Sequence, residues 1–321
     1  LNELFRKLRR CRWRRLLSCG FVFLAVMLTV FNLVSDQLVS RYERDAARDP
    51  GSPFLKGMSP RTLGPADCGR AVLFIHGFTG GQSNFHDLPD RVAAEGWYVR
   101  TMCLPGHGTS PRDFERTSAD DMTAGVLEEV RNLKAEFATV VLVGHSMGGA
   151  LATLVAAEEK VDGLVLCSPF FGLSLDQTLG IPTAGIIRSA ATLLRWVPGR
   201  PGHGPVNKVE SRPFIDAYEW IPSRGGLAAL ELCDRANAPE VLRRVQAPLL
   251  LIHSRADTVT SPLAAGTAVD RMASTSREII WLEKSDHVIF WDYEESTVVD
   301  SVLRYLKEVE HHDPDQPSIR E

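Results

Sequence analysis

VVLVGHSMGGALATLV, residues 140–155, runs from an apolar, β-branched stretch straight into Gly-His-Ser-Met-Gly-Gly. It continues with small and apolar residues at helical spacing. The reading is strand, sharp turn, helix, and the turn carries Gly144-His145-Ser146-Met147-Gly148. That is a G-x-S-x-G sequence in the context that gives such a match meaning. A turn this tight strains its central residue, so the neighbouring positions must be small enough for the chain to fold back on itself. The Ser146 hydroxyl then projects above the strand end. The helix start behind it offers free N–H groups and a positive dipole end. Ser146 is therefore the candidate nucleophile.

A serine hydroxyl is a weak nucleophile without a base, and the base needs an orienting acid. With a G-x-S-x-G elbow, the chain order is serine, acid, histidine, with the last two on loops after later strands. Pro-Leu-Leu-Leu-Ile-His (248–253) reads as a strand and is followed by Ser-Arg-Ala-Asp-Thr-Val-Thr, which puts Asp257 just past its end. Glu-Ile-Ile-Trp-Leu (278–282) is followed by Glu-Lys-Ser-Asp-His-Val-Ile, which puts His287 past the next one. Of the nine histidines, only His287 has both the order and the loop position. His76 and His107 belong to glycine loops, His145 neighbours the serine, His203 lies in a Pro/Gly bend, and His311 and His312 are near the C-terminus. Asp286 adjoins His287 and is badly placed to orient its ring, so Asp257 is the expected acid rather than Asp286, Asp234 or Glu283.

A tetrahedral oxyanion also needs donors. The Met147 backbone N–H is one. The loop after the first core strand, His76-Gly77-Phe78-Thr79-Gly80-Gly81, turns on glycines and offers the Phe78 N–H as the other.

Around these motifs, apolar runs alternate with helical patterns, which argues for an α/β protein with a parallel sheet. Strands are expected at 71–77, 97–102, 139–144, 163–167, 248–253 and 278–282, and helices at 83–96, 118–136, after Ser146, near 261–273 and at 294–310. Residues 171–245 break the rhythm. They show no strand run, a one-sidedly apolar helix over 182–197 and a second helical region at 224–244. This segment is expected to cap the sheet's C-terminal edge, with Ile186, Ile187, Leu193, Leu194 and Trp196 offered to an apolar substrate. The core is then 70–170 plus 246–312, with a tail at 313–321.

The chain has 321 residues, ample for a sizeable core, and a net charge of −4, which gives no hint of nucleic-acid binding. Its basic residues are unevenly spread. Seven arginines and lysines crowd residues 1–15, and Leu16 to Val34 then carries no charge. A run of that length just spans a hydrocarbon core as a helix. Basic flanks stay cytoplasmic, so the expectation is an uncleaved single-pass anchor with the catalytic part extracytoplasmic. Residues 35–69, rich in Arg, Asp, Pro and Gly, read as a linker. The six cysteines show no CxxC and no metal spacing.

His-Gly-Phe-Thr-Gly (76–80), Leu-Pro-Gly-His-Gly (104–108), Gly-His-Ser-Met-Gly-Gly (144–149), the Asp257 loop and Ser-Asp-His-Val-Ile (285–289) together resemble the α/β-hydrolase superfamily over about residues 70–310. More narrowly, they resemble its carboxylesterase and monoacylglycerol lipase branch, the serine aminopeptidase-like group. The resemblance implies Ser146, Asp257 and His287 as a triad, Phe78 and Met147 as oxyanion donors, and a cap between the superfamily's sixth and seventh strands. It also implies no metal or organic cofactor, and that Cys68 and Cys103 lie at opposite ends of the sheet and do not pair. The short segment before residue 70 leaves room for six or seven strands rather than eight. The implied activity is cleavage of a carboxylic ester, medium-chain or monoacylglycerol-like, through an acyl-enzyme. The rival readings are acyl transfer or thioester hydrolysis on the same triad, and a non-catalytic membrane-tethered binding protein.

Overall fold

A computed structural model describes residues 2–199, 202, 204–215 and 218–310; through residue 16 only the backbone path is described. The expected tail at 313–321 and His203, His311 and His312 lie outside the described residues. In chain order the first strands are β1 (Arg61–Leu63), β2 (Arg70–Ile75), β3 (Tyr98–Thr101), β4 (Thr139–His145) and β5 (Gly163–Cys167). Two short hairpins follow, β6 (Gln177–Thr178) with β7 (Ile181–Pro182), and β8 (Trp196–Pro198) with β9 (Trp220–Pro222). The sheet resumes with β10 (Leu249–Ser254) and β11 (Arg277–Leu282). Its order is β1-β3-β2-β4-β5-β10-β11, parallel throughout except for the antiparallel edge strand β1.

The helices are α1 (Asn2–Asp45), α2 (Leu88–Ala94), α3 (Pro111–Arg116), α4 (Ala119–Glu136), α5 (Met147–Ala156), α6 (Thr183–Ala191), α7 (Ser223–Ala236), α8 (Pro239–Leu242), α9 (Pro262–Arg271) and α10 (Glu295–Glu310). Central strands covered on both faces read as near-continuous apolar runs, and residues 71–75 of β2, 140–143 of β4 and 164–167 of β5 supply them, all buried. Alternate residues then feed two cores. Leu73, Ile75, Leu142, Leu164 and Leu251 pack towards α4, α5, α7 and α9. Val72, Phe74, Val141, Val165 and Ile252 pack towards α2 and α10. The Tyr305 hydroxyl pins α10 to the sheet, donating to Pro248 O at 2.7 Å and accepting from Leu164 N at 3.0 Å.

Three segments differ from the sequence expectation. The expected helix at 83–96 is a 3-10 turn (Gln82–Phe85) and then α2, separated at His86, whose φ of 51° cannot continue a helix. Pro89 sits in the first turn of α2, where its missing N–H costs nothing. Residues 35–69 are not a free linker. No breaker follows Val34 until Pro50, so α1 runs on to Asp45, and Arg61–Leu63 pairs with β3 as the sheet edge. Within 171–245, the helix expected to reach 197 stops at Ala191, and Trp196–Pro198 pairs with β9 instead. The second helical region is mostly α7, whose Ala228, Ala229, Leu232 and Ala236 are buried in the helical layer. Among the described residues Cys68 and Cys103 are free thiols.

Candidate active site

Ser146 occupies the junction of β4 and α5 with φ 54° and ψ −120°, a conformation a non-glycine residue adopts only when its surroundings impose it. The surroundings are specific. Ser146 N donates to Cys167 O at 3.0 Å, and Ser146 O accepts from Gly149 N and Phe170 N, both at 2.9 Å. A Cβ at Gly144 would lie 2.5 Å from Gly148 O, and one at Gly148 would lie 2.0 Å from Ile75 O. Close backbone approach, rather than flexibility, makes these two positions glycine.

The loops after β10 and β11 meet above this elbow. His287 Nδ1 lies 2.8 Å from Asp257 Oδ2, and its Nε2 lies 2.9 Å from Ser146 Oγ. Since a carboxylate only accepts, Nδ1 carries the proton and Nε2 is left to accept from the serine hydroxyl. All three side chains are buried. Asp257 is held by more than His287. Its Oδ1 accepts the backbone N–H groups of Val259 and Thr260 at 2.8 Å each. Its Oδ2 also accepts from Thr260 Oγ1 at 2.9 Å and from His253 Nε2 at 3.1 Å. Burial alone would raise its pKa, but the facing His287 and the bonds from His253 and His287 hold the carboxyl well below the usual carboxylate range. Asp286 is turned away, accepting from Thr258 N at 2.8 Å and Thr258 Oγ1 at 3.0 Å.

Other buried groups, to which the sequence reading gave no role, support these loops. His145 Nε2 donates to His287 O at 3.2 Å, fixing the backbone at His287. His76 donates from Nδ1 to Gly77 O at 2.9 Å and accepts Leu104 N on Nε2 at 3.0 Å, joining the two glycine loops. Burial pushes His76 down to about 4. Burial, then the facing His287, pushes His145 down to about 3, so both rings are neutral near pH 7. Asp292 gathers the His287 loop and the cap. It accepts Asp286 N and Asn207 N at 2.7 Å each and Lys208 N at 2.9 Å. Val288 N adds a bond to Pro205 O at 3.1 Å.

A cavity of about 470 Å³ opens on Ser146 Oγ, lined almost wholly by apolar side chains. That is within the range of small-molecule sites. Ile186, Ile187 and Leu194 line it, with Phe78, Leu173 and Val197. Leu193 and Trp196 do not. α6 ends before them: Leu193 lies in the turn that follows, its N–H bonded to Ala190 O at 3.0 Å, and in the short strand β8 the side chains of Trp196 and Val197 face opposite ways. Leu193 stands in solvent, while Trp196 is fully buried on the far side. There its indole N–H donates to Asp36 Oδ1 at 3.2 Å, and the Arg112 and Arg195 guanidiniums lie over its ring. Phe78 sits in a turn closed by Gly80 N to Gly77 O at 3.2 Å, with Thr79 at φ 55°. Met147 is the first residue of α5, where a helix leaves its N–H groups unpaired.

Fold and site together define an α/β protein that presents a serine on a strained strand–helix elbow beneath an apolar cavity. The alpha/beta hydrolase family model matches residues 72–300, and the chain belongs to that family. A thermostable monoacylglycerol lipase of Bacillus sp. (strain H-257) is 30% identical over 260 residues, covering 79% of this chain and 96% of that protein. A pimeloyl-[acyl-carrier protein] methyl ester esterase of Neisseria meningitidis (serogroup B, strain H44/76) is 28% identical over 245 residues, covering 72% of this chain and 90% of that one. Among solved structures, one of the metagenome-derived lipolytic enzymes LipS and LipT superposes with a TM-score of 0.68 at 26% identity, covering 79% of this chain and 99% of its own.

Proposed function

We propose that this chain is a serine hydrolase of carboxylic esters, acting on a medium-chain acyl ester or a monoacylglycerol through an acyl-enzyme on Ser146. The observation that carries the reading is the unbroken Ser146–His287–Asp257 hydrogen-bond chain at the floor of an apolar cavity. His287 Nε2 takes the Ser146 proton as Oγ attacks the acyl carbonyl. The Phe78 and Met147 amides receive the oxyanion. The alcohol leaves with that proton, and water deprotonated by His287 then clears the acyl group. Asp257 keeps His287 in the needed tautomer and stabilises the imidazolium. The lipase and esterase relatives support an ester over a thioester or another acceptor.

The membrane reading is part of the same proposal. The described part of α1 from Leu17 is apolar and long enough to cross a bilayer, and none of its apolar window is buried in the protein. With the basic residues 1–15 kept on the cytoplasmic side, α1 is an uncleaved anchor and the hydrolase lies outside. The test compares the intact 321-residue chain, as wild type and Ser146→Ala, on p-nitrophenyl esters from acetyl to palmitoyl, with added alcohols as acceptors. The expected result is hydrolysis that falls at least ~10³-fold in the mutant, with little transfer to the alcohols. Equal activity in the two proteins rejects the nucleophile, and transfer outrunning hydrolysis rejects the hydrolase.

A further inference from the structure

Asn32 lies inside the uncharged run, two residues before its last member Val34. A carboxamide at the end of an apolar helix is costly there unless its polar groups are satisfied. Asn32 satisfies them on the cap. Its Nδ2 donates to Leu193 O and its Oδ1 accepts Arg195 N, both at 2.8 Å, as a neighbouring strand would. One helical turn on, Asp36 Oδ1 accepts from Arg195 at 2.7 Å and from the Trp196 indole at 3.2 Å. Ser40 and Glu43 continue the contact through Arg112, at 2.8 and 3.0 Å. The helix leaving the membrane is thus fastened along more than two turns, to the cap and to α3.

The fastened stretch is also a wall of the cavity. Leu194 and Val197 line it, while the residues between and beside them, Leu193, Arg195 and Trp196, hold α1. At a helical rise of about 1.5 Å per residue, Asn32 stands only ~3 Å short of the end of the apolar run. That sets Leu193 and the 194–197 wall at the level where hydrocarbon gives way to headgroups. Leu193 is itself 55% exposed there, and Leu175, Leu179 and Ile181 on the hairpin entering α6 are exposed too, Leu179 at 99%. An esterase surface in water has no use for such side chains, whereas the lipid–water boundary accommodates them.

We propose that α1 clamps the cap onto the bilayer it crosses, so that the 194–197 wall of the cavity sits at the lipid–water boundary and the site takes its ester from the leaflet rather than from water. This rests on reading α1 as an anchor and Ser146 as an esterase nucleophile, and the test separates the three. The full chain is reconstituted in phosphatidylcholine vesicles. Its turnover is measured on monooleoylglycerol dissolved in the bilayer and on p-nitrophenyl butyrate supplied from water. Asn32→Leu with Asp36→Ala opens the clamp, leaving Arg112 on Glu43 and Arg195 on Glu115 to keep the domain folded. Losing the effective concentration that seating provides should slow the bilayer ester about tenfold and leave the soluble ester within about twofold. A seventh tryptophan, Leu193→Trp, reads the seating directly. Its added emission should be quenched by lipid brominated on the acyl chains, and the quenching should be lost when the clamp is opened.

Equal changes on both esters, no change on either, or unquenched Leu193→Trp emission overturns the clamp. Wild type that is washed off the vesicles by carbonate overturns it together with the anchor. Wild type inactive on both esters rejects the esterase reading alone, and the quenching then still decides the seating.

Discussion

His253 and His287 donate to the same oxygen of Asp257, and only one of them touches the serine. The other acts by holding the carboxylate still, which a hydrogen bond to a buried charge does with ~1.5–3 kcal/mol. Replacing His253 by Leu should lower kcat about tenfold with KM little changed, since the loss falls on imidazolium stabilisation rather than on substrate contacts. His253→Gln, which retains a donor, should recover part of it; a KM effect or no effect would remove His253 from this role. Gly148→Ala tests the elbow itself. Its Cβ would fall 2.0 Å from Ile75 O, so a loss of roughly 3 kcal/mol or more in denaturant unfolding is expected. The hydrogen-bonded meeting of Ser146, His287 and Asp257 was legible because a fixed chain order and three strand ends narrow the choice to one of each. His253 was not, because a histidine ending an apolar strand reads as an ordinary core residue. Its signal, a donor four positions before the acid, becomes visible only once the turn folds back.

Among the elements, α6 is the one expected to set acyl selectivity, because its side chains line the cavity. Its Ile187 faces the cavity from half-buried backbone, so Ile187→Trp should shift the chain-length optimum in the p-nitrophenyl ester series towards shorter acyl groups, with little loss of stability. An unchanged optimum would mean that the acyl chain lies elsewhere. Long periodic elements such as α4 and α10, and buried runs such as β4, matched their patterns because local propensity and burial agree there. The misread elements are those where a neighbour decided the outcome. β1 exists only because β3 offers an open edge. Trp196 left the cavity because β9 drew its strand out of the helix and Asp36 offered its indole a partner. Neither partner is near in sequence, so no periodicity announces the contact.

At the scale of the whole molecule, three buried histidines make the fold acid-labile. Burial pushes His76 down to about 4 and His107 and His145 to about 3, while in the unfolded chain each titrates near its ordinary value. A lowered folded pKa means that the unfolded chain binds more protons as pH falls below 6.5. Stability is then full above that value and lost as pH falls through about 4, for His76, and about 3, for His107 and His145. Three such groups give a slope approaching ~4 kcal/mol per pH unit near pH 5. The urea midpoint should therefore drop steeply between pH 7 and 5, and a flat profile would contradict the neutral buried rings. Asp292 has a different consequence, for motion. Because it ties residues 207 and 208 to the loop that carries His287, one half of the cap cannot lift without dislodging the base. Residues 207–208 and the His287 loop are therefore coupled, so that a displacement of one is passed to the other. The same carboxylate that organises the loop thus sets how far that part of the cap can shift before the imidazole leaves its place.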